Sequence, residues 1–287
     1  MKKTLIENMA IVGVGLMGGS LAMSLREKGE VGHVTGIGRG LENLEKAKDL
    51  DIVDGYTQSL KDGLEDADMI VVATPVGSIV DLIKSNQEYM KDGAIITDVG
   101  SVKEEIVNEV DAILDSRLSF VGGHPIAGTE KSGAGAAFPE LYSGSRCILT
   151  PSDKTDNRAL ETVENMWELT GAEVIIMDAP AHDKILASIS HLPHVVAYAL
   201  VNTVDGVRDF SENIMKYSAG GFRDFTRIAS SSPEMWRDIC FMNKKALLEM
   251  MDSYIAELRE IRSMIDNDDM DGLLEDFSKS KRARDSI

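Results

Sequence analysis

"AIVGVGLMGGSLA", residues 10–22, is the stretch whose reading decides the fold. A short β-branched run enters Gly13, Gly15 and Gly18 and leaves as an apolar helical pattern. In a G-x-G-x-x-G turn the first glycine permits the tight bend, the second lets the backbone approach a pyrophosphate, and the third lets helix pack on strand. The helix N-terminus then favours the negative charge. Spacing alone is a weak signal, but strand before and helix after make a dinucleotide site the reading, with Leu16 and Met17 in the same turn.

Outward from this loop, short apolar runs alternate with helical patterns through the first 178 residues: "HVTGIG", "DMIVVATP", "GAIITDVG", "SFVGG", "RCILTP" and "EVIIMD". Such nearly continuous runs suit parallel strands covered on both faces. The fold class expected is α/β, with a Rossmann-type doubly wound sheet over residues 1–178. After Asp178 strand-like runs vanish, and residues 179–287 read as an all-helical domain. There Leu247, Met250, Met251, Tyr254, Leu258, Ile261 and Ile265 form a stripe expected to be core, or in part a subunit contact. The tail "SKSKRARDSI" reads as solvated charge.

Composition narrows the function. A formal net charge of −18 argues against nucleic acid and anionic membrane surfaces, and an anionic substrate must find a local positive cluster. Glu7 and Asn8 interrupt the N-terminal apolar run, against a signal peptide, and no later run reaches about 18 uncharged apolar residues. Cys147 and Cys240 fit no metal or disulfide framework, so the cytoplasm is the expected setting.

An acid about 20 residues beyond the glycines ordinarily accepts the ribose hydroxyls of NAD. Here Gly38 and Arg39 stand in that place, so nothing repels a 2′-phosphate; the cofactor is NAD or NADP, with Arg39 leaning towards NADP. Ligands sit at the carboxyl ends of the strands, which carry Thr74 and Pro75, then Asp98, Ser101 and Lys103, then His124. His124 in "GGHPIAGTEKSG" is either a general base or a turn cap, and Gly122 and Gly123 would keep the backbone thin where cofactor and substrate meet. His191 and His194 stand three apart with Pro193 between them, and no ligand set is completed, so no metal is expected. Arg223, Arg227 and Arg237, in "GGFRDFTRIASSSPEMWRDI", suit a carboxylate-bearing substrate, or else surface pairs with Asp224 and Asp238.

Taken together, the glycine loop, "TDVGSVK", "GGHPIAGTEKSGAGAAFPELYSG", "AHDKILASISHLPHVVAYAL" and "GGFRDFTRIASSSPEMWRDI" resemble the prephenate dehydrogenase family, arogenate dehydrogenases included, from about Met9 to about Ile265. The resemblance implies His124 as catalytic histidine and Ser101 as its assistant. It implies Arg227 as substrate-binding arginine, with His182 and His194 as further active-site histidines; Arg223 and Trp236 share the motif. It further implies a homodimer formed through the helical domain and the oxidative decarboxylation of prephenate, or of arogenate. A non-catalytic NAD(P)-sensing regulator is the contrasting reading, against which the His124, Ser101 and Arg227 set counts. An end at Ile287 leaves no stretch for an appended regulatory domain, so any feedback by tyrosine is expected at or near the active site.

Overall fold

A computed structural model describes residues 4–129, 131–207 and 214–286. The first half alternates β1 (Ile6–Val12), α1 (Leu16–Glu27), β2 (Val31–Ile37), α2 (Leu41–Asp49), β3 (Gly55–Thr57), α3 (Leu60–Leu64), β4 (Met69–Val72), α4 (Ile79–Asn86), β5 (Ile95–Asp98) and α5 (Glu104–Ile113). Then follow β6 (Ser119–Ile126), β7 (Arg146–Thr150), α6 (Asn157–Leu169) and β8 (Glu173–Ile176). The strands form one sheet in the order β3-β2-β1-β4-β5-β6-β7-β8. The chain therefore reverses direction across the sheet between β1 and β4, the switch point where doubly wound folds open a ligand crevice.

One expected feature is corrected. All strands were expected parallel, yet β7 runs antiparallel to β6, with His124 opposite Ile148. Among the described residues of 127–145 the only helical turn is a short 3₁₀ one, Ala134–Ala136, where a parallel return needs a crossover helix. That connection instead folds back over α1 and α2: the Phe138 amide donates to Ser20 Oγ (3.0 Å), and Tyr142 Oη donates to the Met17 carbonyl (2.6 Å). Strand β3, absent from the sequence reading, is three residues beginning with glycine, too short to show a period.

Two apolar cores flank the sheet. One packs α1 and α6 against it, with Tyr142 and Trp167 edge to face (centroids 5.1 Å apart). The other holds α4 and α5 together with Ala179, Trp236 and Ile239 from the second half of the chain, so the helical region docks through a shared core.

The second half is helical: α7 (Ala179–Leu186), α8 (Leu192–Asp205), α9 (Gly220–Thr226), α10 (Pro233–Met242), α11 (Lys244–Asp266) and α12 (Met270–Arg284). Asp178 caps α7, its carboxylate accepting from the Ala181 amide (2.7 Å), with Pro180 in the first turn, where a missing N–H costs nothing. A π turn, Ala187–His191, joins α7 to α8. Pro193 cannot donate a helical hydrogen bond and crowds the carbonyl four residues back, and a widened turn relieves both.

Two further expectations change, and the tail keeps its solvated charge on a helix. The π turn makes Ala179–Asp205 one 27-residue helical segment with a window of mean hydropathy 1.3, long and apolar enough to cross a membrane, contrary to the sequence reading. It also carries His182 and Asp183, buried against the sheet domain. Of the α11 stripe only Leu247 is buried; Leu258 and Ile265 are 46% and 61% exposed, so its later part is no core of this chain. The charged tail is mostly the end of α12, capped by the Asp269 carboxylate, with Lys281, Arg282 and Arg284 in its last turn, where they complement the helix dipole.

Candidate active site

Gly13, Gly15, Gly38, Arg39, Thr74 and Pro75 line a cleft of about 1050 Å³ at the switch point. Gly13 has φ +96°, and a Cβ there would lie 2.6 Å from the Ala73 carbonyl oxygen. A Cβ on Gly18 would meet Ile11 Cγ2 at 2.6 Å, as expected of the residue that lets helix approach strand. At Gly15 nothing lies within 4 Å of where a Cβ would stand, and α1 begins there without a side-chain cap or an acid in its first turn. Open space facing uncapped amides fits a pyrophosphate. Leu16 is buried and Met17 half-buried, so they support the turn from below.

The sequence reading missed Asn43. Its Nδ2 donates to the Val14 carbonyl (2.7 Å) and its Oδ1 accepts from the Ala134 amide (2.8 Å), tying the glycine loop to the connection after β6. Arg39 is exposed at the end of β2, its carbonyl held by Gln58 Nε2 (2.6 Å).

His124 lies near the end of β6, 8% exposed, and its Nδ1 is 2.8 Å from His182 Nε2. His182 Nδ1 is in turn 2.7 Å from Asp183 Oδ1. The Asp183 carboxylate also accepts from the Lys103 amide (2.8 Å) and the Glu104 amide (3.0 Å) at the start of α5, a helix with no cap of its own. His182 has no exposed surface and both ring nitrogens are engaged, so it stands behind His124.

Beneath this chain Asp98 and Lys103 form an ion pair with no exposed surface. Asp98 also accepts from the Gly100 amide (2.8 Å) and the Gly123 amide (3.1 Å), binding the end of β5 to the residue before His124. Gly122 and Gly123 have a different reason from the one expected. A Cβ on Gly122 would lie 2.5 Å from Thr150 Oγ1, and one on Gly123 2.8 Å from the Asp98 carbonyl; the sheet's own packing demands glycine. Ser101 is half-buried on the loop between Asp98 and Lys103.

Burial, then His182, Lys103 and His191, hold the His124 pKa well below its ordinary 6.5. Burial also lowers His182, against the opposing pull of Asp183. His191, 1% exposed, is pushed down to about 4, chiefly by burial. Asn243, also missed from the sequence, donates through Nδ2 to the Asp183 carbonyl (2.7 Å) and meets His191 Nδ1 at 3.1 Å. That geometry makes Nδ1 the acceptor and leaves the His191 proton on Nε2. His194 stacks on Trp236 (centroids 3.7 Å apart) with Nδ1 donating to the Ser190 carbonyl (2.9 Å). The two histidines thus have separate partners.

The arginines are placed less tightly. Arg223 is exposed on α9 and donates to Ser218 Oγ (3.2 Å), and Arg237 pairs with Asp238 (2.7 Å), one of the surface pairings expected. Arg227 is exposed at the start of a turn, Arg227–Ser230, that packs against α8, the helix carrying His194.

Comparison with known proteins gives this geometry a context. Residues 21–176 match the model for the nucleotide-binding domain of prephenate dehydrogenase, and residues 178–279 that for its dimerization domain. The prephenate dehydrogenase of Bacillus subtilis (strain 168) is 38% identical over 288 residues, covering 100% of this chain and 76% of that protein. The structure of prephenate dehydrogenase from A. aeolicus, in complex with hydroxyphenyl propionate and NAD+, superposes with a TM-score of 0.92 at 40% identity, covering 98% of each chain. The arogenate dehydrogenase of Synechocystis gives 0.82 at 30% identity, covering 97% of this chain and 99% of that one.

Proposed function

The chain belongs to the prephenate dehydrogenase family, and from that premise we propose that it converts prephenate to 4-hydroxyphenylpyruvate and carbon dioxide, with NAD(P)+ as oxidant, for tyrosine biosynthesis. The observation that carries the reading is His124: a neutral, buried imidazole near the end of β6, in the sheet whose switch point opens the dinucleotide cleft, with Nδ1 already engaged. Gly13, Gly15 and Gly18, with Thr74 and Pro75, would hold the cofactor. When bound, it supplies the hydride acceptor.

His124 offers Nε2 to the proton of the substrate's ring hydroxyl as general base, and Ser101 assists from the neighbouring strand end. The ring carboxylate leaves as carbon dioxide, and aromatisation makes the step irreversible. We assign the Arg227 guanidinium to the side-chain carboxylate, which is retained, with Arg223 and His194 beside it. A firm clamp on the departing carboxylate would oppose its loss of charge, and binding is useful where it favours the transition state. Higher identity to prephenate dehydrogenases than to the Synechocystis arogenate dehydrogenase supports prephenate as substrate.

For the cofactor, Arg39 in place of an acid supports use of NADP as well as NAD. Exposed Leu258 and Ile265 on α11 and Ile189 on the π turn support a homodimer formed through the helical domain. The free thiols Cys147 and Cys240 support the cytoplasm.

The test is one grid: prephenate and arogenate, each with NAD and NADP, followed by reduced nicotinamide absorbance at about 340 nm. Turnover of prephenate is expected. Turnover of arogenate alone would reassign the substrate, and none in any combination would leave a nucleotide-sensing protein as the reading.

A further inference from the structure

Asp183 has itself been given no part in the reaction, yet it meets three elements at once. It follows His182 on α7, one of its oxygens lies 2.7 Å from His182 Nδ1, and its two oxygens take the Lys103 and Glu104 amides that open α5. We propose that Asp183 is a positioning residue that sets the tautomer of the general base: through His182 it fixes the proton of His124 on Nδ1 and leaves Nε2 free to accept, and it does so only while the helical domain is docked on α5. This inference rests on the reading of His124 as the base.

The direction of each hydrogen bond follows from what the groups can do. An ionised carboxylate only accepts, so His182 Nδ1 carries a proton. His182 is fully buried, and burial favours its neutral form, which leaves a lone pair on Nε2. His124 Nδ1, 2.8 Å away, must then be the donor, and a neutral His124 has its lone pair on Nε2. Without Asp183 nothing selects this arrangement over the mirrored one, in which His124 Nδ1 accepts and Nε2 carries the proton. The mirrored form cannot take a proton from substrate.

The carboxylate is buried against the α5 amides, which donate to both of its oxygens at a helix N-terminus, where negative charge is favoured. The charged and titratable groups around it are Lys103 and Asp98 from the β5–α5 segment, Glu105 on α5, and His191 from the π turn. Lys103 and Asp98 neutralise each other. Asn243, at the start of α11, holds the Asp183 carbonyl and completes the fixation. The base and the cap of α5 are therefore one hydrogen-bonded unit across the two domains.

The experiment uses the full chain labelled with ¹⁵N-histidine and compares wild type with Asp183→Asn and His182→Asn. Two-bond ¹H–¹⁵N spectra report the His124 tautomer directly, and steady-state kinetics report kcat and KM. The proposal expects wild-type His124 protonated on Nδ1. In both variants that selection is lost and kcat falls by about 100-fold or more, with KM for substrate within about threefold. Both variants remove buried contacts, and Asp183→Asn should lower the melting temperature further, because His182→Asn leaves the cap of α5 in place. Should Asp183→Asn fail to fold, His182→Asn carries the test alone. A wild-type His124 protonated on Nε2, or a His182→Asn variant that keeps both the tautomer and kcat, overturns the proposal. Because the tautomer is read without turnover, failure of the assigned reaction would be seen separately from failure of the relay.

Discussion

Replacing His191 with glutamine should remove a defined part of the acid sensitivity of folding. The native pKa of His191 is about 4 against 6.5 for the free side chain, with burial the main cause. The native state therefore resists a proton that the unfolded chain accepts. The sign follows: this residue's contribution is fully present above about pH 6.5 and is lost as pH falls towards 4. The full depression corresponds to about 3 kcal/mol, and about 2.5 kcal/mol of it is lost by about pH 4.5. The structure shows why. Protonating Nδ1 would set N–H against the Asn243 Nδ2 donor, which the Asp183 carbonyl holds in that orientation. Glutamine keeps an acceptor in reach and cannot titrate. Urea unfolding at about pH 7.5 and about pH 4.5, at one protein concentration so that association does not intrude, should show wild type losing about 2.5 kcal/mol more than His191→Gln. His124 and His182 titrate with the same sign in both proteins, and since burial, the first cause of their depression, is common to both and His191 is only the last cause for His124, their contributions largely cancel in the comparison. Equal losses in the two proteins, or an NMR titration of His191 with a midpoint near 6.5, would refute the argument.

Four other outcomes are expected. Lys103→Met strands a buried Asp98 carboxylate and should cost about 3–5 kcal/mol in chemical denaturation, most of it recovered when Asp98→Asn is added; an unchanged curve would show that the pair is not buried as described. Gly122→Ala drives a Cβ into Thr150 Oγ1 and should cost about 1–3 kcal/mol of stability, eased by Thr150→Ala; full stability with lost turnover would restore the thin-backbone reading of that glycine. Gly15→Ala has room for its methyl within the protein, so its melting temperature should hold while NAD(P)H binding, read by fluorescence, weakens about tenfold or more; unaltered binding would move the pyrophosphate elsewhere. With the His124 pKa depressed, kcat/KM should stay level down to pH 6.5 and fall only below it, as the base takes up its proton; a fall that begins above pH 7 would mean another group is the base.

What could be read from the sequence was whatever is local. The glycine loop, the alternation of β1, β2, β4, β5 and β6 with helices, and His124 at a strand end are written in consecutive residues. The direction of β7 is not, because its sequence reads the same either way and only the connection from 127 to 145, whose described residues hold no crossover helix, decides it. His182 stood out as one histidine among five, but Asp183 beside it did not. Adjacent helix positions do not share a face, so spacing rules pass over the pair, and its value comes from α5, some eighty residues earlier. Asn243 is hidden for the same reason: it looks like a helix-end residue and acts as a donor to α7 and the π turn, some fifty to sixty residues earlier. A usable signal did exist in "TDVGSVK", where an acid and a lysine five apart flank a strand end, a pattern that suits an ion pair closing a βα loop.

The electrostatic problem raised by an acidic chain and an anionic substrate has a local answer. Around His124 the charges are cancelled before substrate arrives: Lys103 offsets Asp98, two α5 amides solvate Asp183, and burial keeps His124, His182 and His191 neutral. A neutral imidazole repels no anion, and on the proposed role of His124 as base the positive charge it gains on taking the hydroxyl proton appears beside the substrate's negative charge. Interaction strengthened only as the proton moves lowers the barrier without deepening the ground state. The depressed pKa is then no handicap to the base, since it describes the free protein; an adjacent dianion raises it in the complex. Fixed positive charge is left to the arginines of the α9 region, which are exposed and costly to no one's folding, while the buried part of the site carries none that is uncompensated. On the roles proposed for His124 and Arg227, that division, neutral and rigid beneath, cationic and accessible above, is what would let a protein of net charge −18 bind and decarboxylate an anion.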